Sequence, residues 1–158
     1  AHDHMRGNDI FLAHFAQPVL SFGVPLTLFG NVKSDSEGLD IKKAGIFPLV
    51  HGVRSLALKY RIRQTNTYRR IEELVAAGAI HERLGRNLES ALSLFMQLRL
   101  QTQIEQLEAA GTDDGSQVTH NRIDVTGLNR LDRDLLREAL HVIKEFKEWL
   151  ALELHIRG

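Results

Sequence analysis

"HERLGRNLESALSLFMQLRLQTQIEQLEA", residues 81–109, runs without a proline and closes on the turn signal "AAGTDDGS". Leu88, Leu92, Phe95, Arg99, Gln103 and Leu107 follow one another at steps of three or four, the spacing that puts side chains on one helical face. Residues 128–156 repeat the pattern, with Leu128, Leu131, Leu135, Ala139, Val142, Phe146, Trp149 and Leu150 on one stripe. At 1.5 Å per residue each segment reaches about 43 Å, and the polar connection between them lets the two pair antiparallel. The fold class expected is all-α: an antiparallel helical bundle with two long helices.

Shorter helices fit around that frame. "DIFLAHFAQPVL" has apolar residues at helical spacing, with Asn8 or Asp9 as N-cap and Pro18 limiting its end. "GIFPLVHGVRSLALKYR" begins a second helix, since Pro48 in its first turn loses no hydrogen bond. "NTYRRIEELVAAG" reads as a third, capped by Asn66 or Thr67 and stopped at Gly78. Between the first two lies an irregular or hairpin-like excursion near residues 28–44, rich in glycine and in the Ser/Asp cluster "KSDSEG". Residues 110–127 make a long polar connection, either a tip or a binding loop. Residues 1–8, "AHDHMRGN", are read as a disordered or expression-derived N-terminus, and 9–158 as one helical domain.

Composition narrows the function. A 158-residue chain with 43% apolar and 25% charged residues supports one core. Lysine plus arginine balances the acids at 20 each, so no global field draws nucleic acid or membrane. The absence of cysteine removes disulfides, thiolate zinc sites and cysteine nucleophiles, and fits a cytoplasmic location. No metal-ligand spacing occurs among the eight histidines, and His51 and His141 read as satisfied histidines at the core edge. No phosphate loop, nucleophile elbow or paired-carboxylate constellation is present, so no catalytic residue is assigned.

The informative residues are polar ones on apolar stripes. Arg99 and Gln103 share the face of Leu92 and Phe95, and an unpaired buried guanidinium costs several kcal/mol, so Arg99 calls for an internal acid or a pocket ligand. Arg54 lies four residues after Val50, beside the expected core face of its helix. Asp40, just outside that helix, can pair with it bidentately and tie the excursion to the bundle. Alternatively Asp40, Lys42, Arg54, Arg99 and Gln103 line a polar cleft for a phosphate, a carboxylate or a partner side chain. Arg54, Lys59, Arg61, Arg63, Arg69 and Arg70 occur with no acid before Glu72, which makes either a solvated basic face or a docking patch.

The order of "VPLTLFG", "GLDIKKAGIFPLVHGVRSLAL", "TNTYRRIEEL", "LFMQLRLQTQ", "HNRID" and "LNRLDRDLLREAL" resembles the nucleotidyltransferase substrate-binding domain family over about residues 9–156. The family's D-L-K element falls on Asp40, Ile41 and Lys42, and its helix arginine on Arg54. Its N-T and following arginine fall on Asn66, Thr67 and Arg70. Its L-R-L and glutamine fall on Leu98 to Leu100 and Gln103, its loop asparagine on Asn121, and its leucine-x-arginine on Leu131 and Arg133. One departure is "EFKEWL", where family members usually carry a glutamine.

The resemblance implies a bacterial signalling protein related to the PII uridylyltransferases, whose upstream regions often hold cyclic-nucleotide-binding and CBS domains. It implies an upstream nucleotidyltransferase domain as partner, an acceptor protein or small molecule, and magnesium with a nucleoside triphosphate for the parent protein. The catalytic signature, a Gly-Ser turn followed by Asp-x-Asp, is absent here, so this segment is expected to bind or orient substrate without catalysis and without a cofactor of its own. A helical interaction or dimerisation module without a ligand pocket is the alternative. Membrane binding is not expected, nucleic acid is the weaker partner, and a homodimer stays open.

Overall fold

A computed structural model describes the backbone of residues 2–21, 23–28, 30–34, 38–110 and 121–155. Among the described residues five helices form the bundle: α1 (His2–Leu20), α2 (Phe47–Lys59), α3 (Thr67–Ala76), α4 (Glu82–Ala110) and α5 (Arg130–Glu153). Helix α4 packs along α5, α1 lies against α2, and α2 also touches α3 and α5. The core runs through the middle of these pairs. Leu49, Val53 and Leu56 of α2 meet Ile71 and Leu74 of α3, Leu88, Leu92 and Phe95 of α4, and Leu136, Leu140, Ile143 and Phe146 of α5 in one buried cluster. No helix among the described residues is long and apolar enough to cross a membrane.

Helix α1 extends N-terminal of Asp9, so Asn8 and Asp9 are interior residues of that helix and not its cap. Asn66 does cap α3, its side-chain oxygen accepting from the Arg69 amide at 3.2 Å. Asn129 caps α5 in the same way, 2.7 Å from the Asp132 amide. Most of the α4–α5 connection, residues 111–120, lies outside the described residues.

The expected stripe on α5 is rotated at its start. Leu131 and Leu135 are 67% and 44% exposed, whereas Leu136, Leu140 and Ile143 are fully buried. Adjacent leucines at 135 and 136 offer two faces about 100° apart, and the one continuing to Phe146 and Leu150 wins the core. On α4 the stripe similarly leaves the core toward its end, with Leu107 62% exposed.

The excursion begins earlier and ends earlier than expected. A tight hairpin spans residues 25–33: Leu26 and Val32 form an antiparallel bridge, and the Lys33 amide donates to the Pro25 carbonyl at 2.8 Å. Residues 42–44, read as the end of the excursion, belong instead to a π-helical turn (Lys42–Ile46) that runs straight into α2, closed by the Phe47 amide on the Lys42 carbonyl. Two features account for the wide turn. Pro48 brings no N–H, and its ring would strike the carbonyl four residues back in a continuing α-helix. Gly45 also lies directly on the Phe95 ring, where an added Cβ would stand 2.6 Å from two ring carbons. Such single π turns occur often at functional sites.

Two short strands complete the fold. β1 (Leu39–Asp40) pairs antiparallel with β2 (Arg122–Ile123), in register Leu39 with Ile123 and Asp40 with Arg122. Leu39 and Ile123 point into the core, while Asp40 and Arg122 are half-buried on the other face. A 3-10 turn, Val125–Gly127, then leads into α5.

Candidate functional site

The β1–β2 pair places side chains from distant parts of the chain side by side. Residues directly opposite in an antiparallel pair have Cβ atoms about 5 Å apart on one face, so Asp40 and Arg122 share a wall. Asp40 Oδ1 accepts from the Lys43 amide at 3.1 Å, which fixes its carboxylate at the start of the π-helical turn. Arg122 Nη1 donates to the Gly38 carbonyl at 3.3 Å. The Ile41 amide donates to the Asn121 carbonyl at 2.8 Å and extends the pairing by one residue.

These groups line a cavity of about 720 Å³, bounded by Pro25, Val32 and Lys33 on the hairpin side and by Asp40, Lys43 and Arg122 on the strand side. Its size suits a small ligand or a protruding side chain. Among the described lining residues, one carboxylate and three cations accompany a partly apolar wall made by Val32, Leu39 and Ala44. Such a surface can recognise an anionic group through Lys43 and Arg122 while Asp40 accepts a hydrogen bond from the same ligand.

The sequence-derived residues divide into three groups. Asp40 lines the cavity, Lys42 is exposed on the neighbouring turn, and Asn121 joins through its backbone, its side-chain Oδ1 buried and without a hydrogen-bond partner among the described residues. Arg54 and Arg70 form a second group. Arg54 is exposed, its guanidinium 5.4 Å from the centroid of the Phe15 ring, and among the described residues no hydrogen bond or ion pair joins it to Asp40. The expected Asp40–Arg54 pair is therefore replaced by a cation–π contact, because α1 covers this edge of α2 and offers an aromatic face.

Arg70 Nε donates to the Gln64 carbonyl at 2.6 Å. Burial lowers its pKa from the ordinary guanidinium value, and the nearby charge of Arg54 lowers it further. Asn66 and Thr67 belong to the start of α3, Asn66 as its cap. Arg99 and Gln103, both half-buried on α4, make the third group. Arg99 Nε is buried, with no hydrogen-bond partner among the described residues. Neither residue lines the cavity at Asp40.

Other expectations resolve at the bundle's edges. His51 gives its Nε2 proton to the Phe15 carbonyl and stacks between Phe15 and Phe47, and His141 donates to the Gly30 carbonyl at 3.2 Å. Both histidines are satisfied, as their core-edge positions suggested. The basic run from Arg54 to Arg70 is partly neutralised by α5, since Lys59 Nζ lies 3.3 Å from Glu153. Lys43 and Arg122 were not singled out from sequence. Lys43 had a local signal, because it sits three residues after Asp40 in the position an Asp-capped turn requires.

Asp124 holds the turn that follows Arg122. The Thr126 hydroxyl, 2.7 Å away, and then the Gly127 amide keep its carboxyl below the usual value near 3.8. A depressed carboxylate contributes stability above its unfolded pKa and loses it as pH falls through the folded one. Asp124→Asn should therefore lower the Tm slightly at pH 7 and leave it unchanged at pH 2, as followed by circular dichroism. An equal shift at both pH values would show that the charge contributes nothing.

No curated protein and no solved structure matches this chain significantly. A family model described as "Putative nucleotidyltransferase substrate binding domain" does match, over residues 9–154, a span that holds the hairpin, the β1–β2 pair, the open cavity between them and all of α5. The chain belongs to that nucleotidyltransferase substrate-binding domain family.

Proposed function

We propose that this domain holds the acceptor substrate for a nucleotidyltransferase domain in the same parent chain, of the type related to PII uridylyltransferases, and performs no transfer itself. The observation that carries this reading is the cavity at Asp40, Lys43 and Arg122, built by a strand pair that joins two distant segments. A rigid strand edge is a better support for a recognition group than a free loop. Magnesium and the nucleoside triphosphate would bind to the catalytic partner, and this domain would present the acceptor to it by proximity and orientation.

The test has two arms. In a chain carrying both domains, Arg122→Gln should raise the KM for the acceptor by about tenfold or more, the loss expected for one charge-assisted hydrogen bond, and leave the nucleotide KM unchanged. An unchanged acceptor KM would overturn the assignment of the cavity. The 158-residue chain alone, given nucleoside triphosphate, magnesium and acceptor, should show no transfer, and measurable turnover would overturn the non-catalytic role.

A second reading is supported by one observation. Leu100, Ile104 and Leu107 of α4 and Leu131 and Leu135 of α5 are exposed apolar residues on two helices that pack together. A protein-interaction module would cover such a row, and light scattering that gives twice the monomer mass, abolished by Leu100→Glu, would favour it over the ligand cavity.

A further inference from the structure

Arg130, Arg133, Arg137, His141 and Lys144 follow one another on α5 at steps of three or four, so they share one face of that helix. None of them lines the cavity at Asp40. Two adjoining hollows open along this face instead. The first, about 510 Å³, is walled by Arg130, Arg133 and Arg137 on one side and by Asn31, Ser34 and Thr126 on the other. The second, about 390 Å³, lies between Arg137, His141 and Lys144 and the hairpin residues Thr27 and Gly30. Arg137 borders both hollows and joins them into one groove.

Among the described lining residues the charge of this groove is predominantly positive. Asp134 is the single carboxylate among the described lining residues, and at 3.6 Å from Arg137 Nη2 it offsets one guanidinium at most. Arg130 and Arg133 are exposed, with no described carboxylate in ion-pair range. Three guanidinium groups close together repel one another, and this arrangement gains its purpose when an anion lies between them. Neighbours three or four apart stand about 5–6 Å from each other, and the row from Arg130 to Arg137 extends about 10 Å along the axis. A single phosphate reaches one or two of these groups, whereas a chain of two or three phosphoryl groups reaches them all.

The opposite wall adds uncharged hydrogen-bonding groups from the Asn31 side-chain amide and the Ser34 hydroxyl, whereas the Thr126 hydroxyl is already donated to Asp124 Oδ1. Asn31 of the hairpin and Ser34 just after it bound this wall together with Thr126 of the 3-10 turn. The geometry points to a second, anion-binding site between the hairpin and α5, one that takes the di- or triphosphate group of a phosphorylated small molecule. Arg130, Arg133 and Arg137 grip the phosphoryl oxygens with paired N–H donors, and Lys144 and His141 extend the field along the groove. The site adjoins the cavity at Asp40, with which it shares Val32 and Ser34, but none of its cations lines that cavity.

Calorimetric titration of the 158-residue chain with sodium tripolyphosphate tests it, with orthophosphate and an oligoglutamate peptide as comparison probes. Tripolyphosphate should bind at one site, at least about tenfold tighter than orthophosphate. Arg130→Gln with Arg133→Gln should weaken that binding by about 10–100-fold, since both side chains are exposed and their removal leaves the core intact. Arg63→Gln with Arg69→Gln, the same change in charge away from the groove, should leave it within about twofold. Equal weakening by both pairs would reduce the effect to overall charge and overturn the site. So would the absence of tripolyphosphate binding at low salt, or oligoglutamate binding as tightly as tripolyphosphate, which would assign the groove to an acidic protein segment.

Discussion

Phe95→Ala is expected to lower the unfolding free energy by about 3–5 kcal/mol, among the larger losses a single substitution can cause here. Phe95 is fully buried at the point where α4 meets the π-helical turn, and its ring is the surface on which Gly45 rests. Its truncation removes both the transfer free energy of the ring and the packing of its neighbours. Urea unfolding should report the loss directly, with a fall in Tm on the order of 10 °C. A change below about 1 kcal/mol would mean that the turn collapses onto the space with little strain, and the packing account of the π-helical turn would then fail.

The same contact makes a sharper prediction through its partner. Alanine is preferred to glycine inside a helix by about 1 kcal/mol, so Gly45→Ala would stabilise an unobstructed site. Here the new methyl would meet three ring carbons at 2.6–2.8 Å, and the overlap should reverse the sign to a net loss of about 1–3 kcal/mol. In the Phe95→Ala background the obstruction is gone and the helical preference should return. The double-mutant cycle should give a coupling of about 2 kcal/mol, and simple additivity would show that ring and glycine do not meet.

The long helices were legible because Leu88, Leu92 and Phe95 keep one period over several turns, which no strand or loop can mimic. Their exact faces were less so. Leu135 and Leu136 are equally apolar, and only the presence of α4 and α2 on one side decides which enters the core. The π-helical turn left no pattern in residues 38–46, because it arises from a proline and a glycine acting against a ring far along the chain. Arg54 was placed on the inner edge from its spacing to Val50, yet Leu49, Val53 and Leu56 carry the buried stripe of α2 and leave Arg54 turned outward. The cue was present in those three residues. A step of four from Val50 followed a half-buried side chain instead.

The site was legible on one wall only. Asp40 could be picked out as an acid beside an apolar run, but its neighbour Arg122 is brought by strand pairing between segments that nothing in the local sequence connects. A two-residue strand has no periodicity to detect. Lys42 and Lys43 are adjacent lysines with the same local character, and only the turn geometry places Lys43 on the cavity and Lys42 outside it.

Gly38→Ala should cost about 3 kcal/mol and disorganise the cavity at Asp40 with it. Gly38 has φ +91°, a conformation unfavourable for alanine, and a Cβ there would stand 2.6 Å from the Ile123 carbonyl oxygen. That oxygen belongs to backbone in the strand pair and has no flexible side chain to move aside. The strands must separate, and Asp40 then loses its register with Arg122. Urea unfolding measures the cost, and hydrogen exchange at the Ile41 amide, which donates to Asn121, reads the pairing itself. Gly23→Ala is the control, since nothing lies within 4 Å of the added methyl and its loss should be small. Arg122→Gln separates structure from recognition: it removes the guanidinium, whose contacts include the Gly38 carbonyl, and should leave the ladder and the Ile41 amide protected. Slow exchange at Ile41 in both variants would mean that Gly38 does not hold the strands, and that the cavity draws its shape from the hairpin alone.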